Sequence, residues 1–424
     1  SVTGPGYVPF LTGRFPAPVG IPGLRWFDRA RQVGLWPAYS RSYAGVDIWH
    51  LDNDLLPSAQ TLFELARPSL SAMSMLGRGA QKNIGRSIPF MIRVAPTHFR
   101  GDLDSWVAVE KLSWQNFMRR FEKTRHRFAT LAATSPDKRA HKDGPFSNSV
   151  RSAIRDINDA IATAQAIAER GGWRDLLDIW VVGDHGHAPV AHHEDLHAWL
   201  EARGLKVRAH PSVFSRQVDV ALMVGGNAMA HIYLDPAQRT RTWWGSLAPR
   251  WQSLHDDLLK RDAVDLLAIA LEPNRVRVSN RDRGSADIVQ HGPGTSATWD
   301  YLPVTGDPLQ LGGAHSALEY NAAHAVCAST EYPDSLVQLT SLLTAPRSGD
   351  IVVSAAHNWD LRSRFEPVQH VSTHGALTRD QMMVPLIVSR PILGTPRRTA
   401  DVMPSALELM GIPVPGGLDG VSFL

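Results

Sequence analysis

The chain predicts an α/β fold, a mostly parallel sheet sandwiched by helices with surface insertions, and three observations carry that expectation. Apolar β-rich runs alternate with helix-period segments. Four of the runs barely alternate between polar and apolar residues, as strands buried on both faces do. Two of the four lead straight into loops that carry Asp and His, and open α/β sheets hold their ligands at the carboxyl ends of strands.

The four runs are Phe128 to Ala133, Asp178 to Val182, Asp350 to Ser354 and Val384 to Val388. Between the first two, Ile154, Ile157, Ile161, Ala164 and Ile167 fall on one helical face, and Gly171-Gly172 supplies a C-terminal stop, so strand, helix and strand read as a βαβ unit. Asp195 to Arg203 reads as a short helix, Val220 to Val224 and His231 to Leu234 as further apolar runs, and Trp251 to Leu259 as another helix. From about 280 to 316 the chain is rich in Gly, Asp, Ser and Pro and reads as an insertion running over the surface. With no repeat, low-complexity tract or linker, a single domain over 1–424 is expected.

Bulk properties narrow the function. A net charge of +3 over 424 residues, with basic residues scattered, gives no footprint for a nucleic acid polymer. No apolar run approaches the ~18 residues that a membrane span requires. The lone Cys327 excludes an internal disulfide and leaves the compartment open. The opening residues, Ser1 to Gly6, show neither an initiator Met nor the pattern of a signal peptide, so the chain is read as trimmed at its start.

Four short elements carry chemistry. Asp137 and His141, four apart after a strand, offer one oxygen and one nitrogen to a divalent metal. Asp184 and His185, between Gly183 and Gly186, suit a tight loop whose side chains converge on an ion, and a buried Asp needs such a partner. His374, followed by Gly375, stands shortly before a strand. Thr3 lies in a loop of Gly and Pro, and its hydroxyl is a weak nucleophile unless a metal or base activates it. Alone, each is a common pattern: a loop Asp with a surface His, a helix cap, a hydrogen-bonded His, a glycine-rich loop.

Together, in order and spacing, they resemble the type I phosphodiesterase/nucleotide pyrophosphatase branch of the alkaline-phosphatase superfamily over nearly the whole chain. The family's nucleophile segment, Thr-x-x-x-x-x-x-x-x-Thr-Gly-x-x-Pro-x-x-x-Gly-Ile, is matched by Thr3, Thr12-Gly13, Pro16 and Gly20-Ile21. Pro136-Asp137 and His141 match its Pro-Asp-x-x-x-His, Asp184-His185-Gly186 its Asp-His-Gly, and His374-Gly375 its C-terminal His-Gly. Thr399 to Gly411 and Leu418 to Gly420 look like its closing helix and loop.

The resemblance implies an alkaline-phosphatase-like core, a small-molecule phosphate ester as substrate, and two divalent metal ions, with zinc favoured by the mixed imidazole and carboxylate donors and manganese as the alternative. One ion would take Asp137, His141 and His374. The other would take Asp184, His185 and an Asp from a first strand that precedes the nucleophile in the family and is not in this sequence. Thr3 would form a covalent phosphothreonine that water then releases. Where phosphodiesterases usually carry a phosphate-binding Asn this chain has Leu24, and Arg25 beside it is the candidate substitute. The aromatic residues Trp26, Phe27, Trp36, Tyr39, Tyr43 and Trp49 form either core or a surface that stacks the leaving group. His187, His192, His193 and His197 are expected outside the ligand set.

A phosphomonoesterase or phosphonate hydrolase would use the same ions and a different pocket. A phosphomutase needs a basic phosphosugar site that the chain does not display, and a sulfatase needs a Cys-x-Pro-x-Arg segment, whereas Cys327 precedes Ala328-Ser329-Thr330. A non-catalytic metal-dependent binding protein would have no use for Thr3.

Overall fold

The computed structural model describes residues 2–31, 40–210, 217–362, 366 and 368–424. Its largest element is a nine-stranded sheet, in spatial order His315–Glu319, Thr298–Pro303, Gly284–His291, Arg275–Asn280, Val264–Glu272, Ile351–Ala355, Met229–Leu234, Val220–Gly225 and Val207–Ala209. The α/β class holds, with helices on both faces, but the sense of the strands differs from expectation. Every neighbouring pair in this sheet is antiparallel except Val207–Ala209 with Val220–Gly225. Further parallel pairs form a separate three-stranded sheet of Lys82–Ile84, Ser69–Ala72 and Phe128–Leu131, and join Asn358–Asp360 to Ala188–His193.

Short connections explain the antiparallel sheet, because parallel neighbours need a crossover of a dozen or more residues. Val220–Gly225 turns into Met229–Leu234 through Gly226 and Asn227, whose φ angles of 61° and 66° are those of a tight hairpin turn. Period-two alternation on Val264–Glu272 then serves two cores. Leu267 and Ile269 face the Trp244–Leu259 helix side, while Leu266, Ala268 and Ala270 join the core with the helices Tyr320–Ala328 and Ser335–Leu343.

All four apolar runs contain strands, yet they lie in three different sheets. Phe128–Leu131 pairs with Ser69–Ala72, Trp180–Val182 pairs antiparallel with Leu386–Val388, and Ile351–Ala355 sits in the large sheet. The two strands read as a βαβ unit are therefore not hydrogen-bonded to a common neighbour. Only Ile351–Ala355 is buried throughout; Phe128–Leu131 and Trp180–Val182 are half-buried, each with a single strand neighbour among the described residues. The helix between them runs from Asn148 to Arg170 and stops at Gly171, as its sequence indicates, but Ile154 is 55% exposed and the buried stripe falls on Val150, Ala153, Ile167 and Ala168. The segment expected as an irregular excursion, 280–316, carries two long strands: Gly284–His291 and Thr298–Pro303 continue the meander of the large sheet.

Two buried polar groups hold the framework near the chain's chemistry-bearing loops. Glu110, 3% exposed on the Leu103–Lys123 helix, accepts from Thr134 N at 2.5 Å, Thr134 Oγ1 at 2.6 Å and Ser135 N at 3.1 Å, and from Ser135 Oγ. A carboxylate so placed satisfies the open donors at the start of the Ser135–Asp143 helix. His231, fully enclosed in the large sheet, receives Gly349 N–H on Nδ1 at 3.1 Å and faces Pro22 O with Nε2 at 3.2 Å. Both ring nitrogens are thus committed as one neutral tautomer, and burial pushes its pKa down to about 4.

Two outcomes follow. Replacing Glu110 by Ala strands the Thr134 and Ser135 donors and should lower unfolding stability by about 2–4 kcal/mol, read as an earlier urea midpoint. For His231, the unfolded chain binds a proton below about 6.5 that the folded chain refuses until about 4. Stability should therefore fall as pH drops from 6.5 towards 4, by about 3 kcal/mol over that window. His231→Gln, which cannot titrate, should flatten this part of the pH dependence of the urea midpoint.

Candidate active site

Elements distant in sequence converge beside the N-terminal helix Tyr7–Thr12. Thr3 lies in the turn before that helix, and its Oγ1 is 2.8 Å from His185 Nε2. The loops touch closely enough that a Cβ on Gly6 would stand 2.9 Å from Asp184 Cβ, so glycine is required there. Asp184 and His185 follow the Trp180–Val182 strand, with carboxylate and imidazole 3.6 Å apart.

Asp137 and His141 occupy the first and last turns of the Ser135–Asp143 helix. Residues four apart share a helical face, and here Asp137 Oδ1 is 3.5 Å from His141 Nε2. His374 follows the strand Ser372–Thr373, which pairs with Ala188–His193. Its Nε2 is 3.6 Å from Asp137 Oδ1, and its ring lies flat on His185, centroids 3.6 Å apart and planes 8° from parallel. Thr3, Asp137, His141, Asp184, His185 and His374 are thus brought into one cluster.

Hydrogen-bond partners fix how the rings are presented. His141 Nδ1 is 2.9 Å from Ser372 O and His185 Nδ1 is 3.0 Å from Gly186 O. A carbonyl only accepts, so both Nδ1 atoms carry the proton and both Nε2 atoms present a lone pair. The Thr3 hydroxyl accordingly donates to His185 Nε2. Burial pushes the His141 and His374 imidazoles well below their ordinary pKa, with His185 adding to the effect on His374. Burial alone would raise the Asp137 carboxyl, but its interactions with His141, His187 and His374 outweigh this and hold it well below the usual carboxylate range. An ionised carboxylate therefore stands among imidazoles, and His374 Nδ1 is buried without a hydrogen-bond partner. Converging nitrogen lone pairs and carboxylate oxygens of this kind fit a divalent cation of the zinc type.

His187 stands where the sequence reading did not put it. Its Nε2 is 2.9 Å from Asp137 Oδ1, nearer than His141 or His374, and its donor atom clusters with those of Asp137, His185 and His374 within 4.8 Å. The signal was the spacing: His185 and His187 are two apart at the entrance to the Ala188–His193 strand, where alternate residues share a face. His192 instead packs on Trp359 and His197 approaches Glu201. A second group of possible donors, Glu331, His357 and Asp380, is largely exposed.

Arg25 is joined to none of these groups by a contact among the described residues. Its guanidinium donates to Val224 O at 3.0 Å and lines a small recess with His210 and Arg362; burial, then Arg362, pushes its pKa down to about 10. Of the aromatic residues, Trp26, Phe27 and Tyr43 are core, with Trp26 Nε1 donating to Tyr43 OH at 3.0 Å and Tyr43 OH to Asp54 at 2.9 Å. Trp49 donates to Arg86 O at 2.7 Å, and Trp36 and Tyr39 lie outside the described residues. None of the helices among the described residues is long and apolar enough to cross a membrane.

Comparison with known proteins identifies the family and the fold. No curated protein matches the chain in sequence. The fold is that of human ectonucleotide pyrophosphatase/phosphodiesterase 5, at TM-score 0.55 and 12% identity over 99% of this chain and 86% of the other. An inactive variant of the murine protein, solved in complex with AMP, matches at TM-score 0.53 and 13% identity over 97% and 84% of the two chains. Phosphonoacetate hydrolase from Sinorhizobium meliloti 1021, solved in complex with phosphonoformate, matches at 0.51 and 15% over 96% and 84%. The family described as type I phosphodiesterase/nucleotide pyrophosphatase matches residues 1–377. With that match spanning most of its length, the chain belongs to the type I phosphodiesterase/nucleotide pyrophosphatase family, hydrolases of phosphate esters within the alkaline-phosphatase superfamily.

Proposed function

We propose that the protein is a two-metal phosphodiesterase that uses Thr3 as its nucleophile. The observation that carries this reading is the 2.8 Å contact between Thr3 Oγ1 and the lone pair on His185 Nε2, beside a cluster of potential metal ligands. Asp137, His141 and His374 would hold one ion, and Asp184 and His185 would contribute to the second. Divalent cations held there would lower the pKa of a bound hydroxyl and neutralise charge on the phosphoryl group.

The chain's own residues do the rest. Glu110 fixes the helix that carries Asp137 and His141, and Ser372 O fixes the His141 ring. The Gly6 contact keeps Thr3 against the Asp184 loop, which limits the freedom the nucleophile must lose on reaction. Thr3 Oγ attacks phosphorus, the ester P–O bond breaks, and the alcohol leaves with a proton. Water then cleaves the phosphothreonine, returning the hydroxyl and releasing phosphate monoester.

The nature of the ester is open to one competing class. A structural neighbour acts on phosphonoacetate, so a phosphonate or monoester substrate is the second reading. Purified protein should contain about two zinc or manganese ions per chain, and removal of them by a chelator should abolish hydrolysis of bis-p-nitrophenyl phosphate. Thr3→Ala should retain the metal and lose turnover by at least about a thousandfold. Faster cleavage of p-nitrophenyl phosphate or phosphonoacetate than of the diester would transfer the assignment to the second reading. Undiminished turnover by Thr3→Ala would remove the nucleophile mechanism, and metal-free protein without turnover would favour a binding protein.

A further inference from the structure

We propose that His187 is a metal-site residue, supplying with Asp137, His141 and His374 the donors for one divalent cation. This ion would then be held by four side chains rather than by the three that the family resemblance implies. The inference rests on the two-metal reading and adds to it a residue of this chain.

Spacing is the first argument. Two atoms bound tetrahedrally to one zinc at ~2.0–2.1 Å stand about 3.3 Å from each other. From Asp137 Oδ1 the Nε2 atoms of His187, His141 and His374 lie at 2.9, 3.5 and 3.6 Å, on both sides of that value. The rings of His187 and His141 meet nearly edge to face at 77°, and those of His187 and His374 at 64°, so they are not stacked on one another.

Proton accounting is the second. Ser372 Oγ has a single proton, and Ala140 O, which can only accept, lies 2.6 Å away. At 3.1 Å, His187 Nδ1 therefore meets a hydroxyl lone pair and must itself donate. Its Nε2 faces Asp137 Oδ1 2.9 Å away, a pair that a positive charge between the two atoms would hold together. A bound cation supplies that charge for His187 in the same way as for His141. Ser372 orients both rings, one through its carbonyl and one through its hydroxyl, which is how outer groups commonly fix the tautomer of ligating histidines.

The test uses the full chain, stripped with a chelator and titrated with Zn2+ against a chromophoric competitor, and separately with Co2+ while the visible spectrum is recorded. His187→Ala should weaken one of the two ions by more than the roughly 10–100-fold that loss of a mere hydrogen-bond partner of a ligand costs, and alter the Co2+ absorption of that site. His187→Gln, which keeps a donor for Ser372 Oγ, is the second variant and serves if the alanine protein fails to fold. Unchanged affinity and an unchanged Co2+ spectrum in a folded variant would overturn the assignment and leave His187 a hydrogen-bond partner of Asp137. Wild-type protein that binds no divalent ion would overturn the two-metal reading together with it, and is distinguishable because no variant is needed to see it.

Discussion

An ionised carboxylate taken partly out of water needs a positive partner, and Asp137 is held in that situation among imidazoles by the surrounding structure. Its helix is anchored by Glu110, which takes the open donors at the helix start. The rings of His141 and His187 are pinned to one residue, Ser372, and His374 is stacked on His185. None of these supports neutralises the charge. They orient the rings around it, an arrangement that a bound cation would favour. The same logic explains why Thr3, brought against His185 by the close packing at Gly6, is poised rather than merely buried.

Residues whose role depends on local spacing were legible in the sequence. Asp137 with His141 and Asp184 with His185 each lie within a turn or a loop, and their joint order with Thr3 and His374 was enough to gather six side chains into one cluster. Sheet membership was not legible, because an apolar run records that it is a strand and not which strand it will lie beside. Gly226-Asn227 did carry a hairpin signal, and it governs the antiparallel sense of the sheet centre. The meander beyond residue 275 was hidden by charge. Asp287 is fully buried in mid-strand, where the run should be apolar, and only its pairing across the register with Arg275 and Arg277 makes that tolerable. The closeness of His187 to Asp137 was not legible from the motif as a string, because in an extended chain the second residue beyond His185 returns to the same side.

Identity of 12–15% with proteins of the same fold means that most side chains have been exchanged while the framework persisted. At that distance, shared architecture says little about chemistry, and the argument for function has to come from the cluster itself. The family match and the cluster are independent in this sense, since one rests on order along the chain and the other on distances between atoms.

The hairpin at Gly226 and Asn227 also has a second face. Gly226 O accepts from His374 N at 3.2 Å and from Thr373 Oγ1 at 2.7 Å, and Ala228 N donates to His374 O at 3.0 Å. A Cβ on Gly226 would lie 2.6 Å from His374 Nδ1. The turn that closes two central strands is therefore also the wall behind an imidazole of the candidate site. The placement of that imidazole is inherited from the central sheet, so heat should not blunt the site gradually. Loss of chemistry and loss of the sheet would arrive as one event.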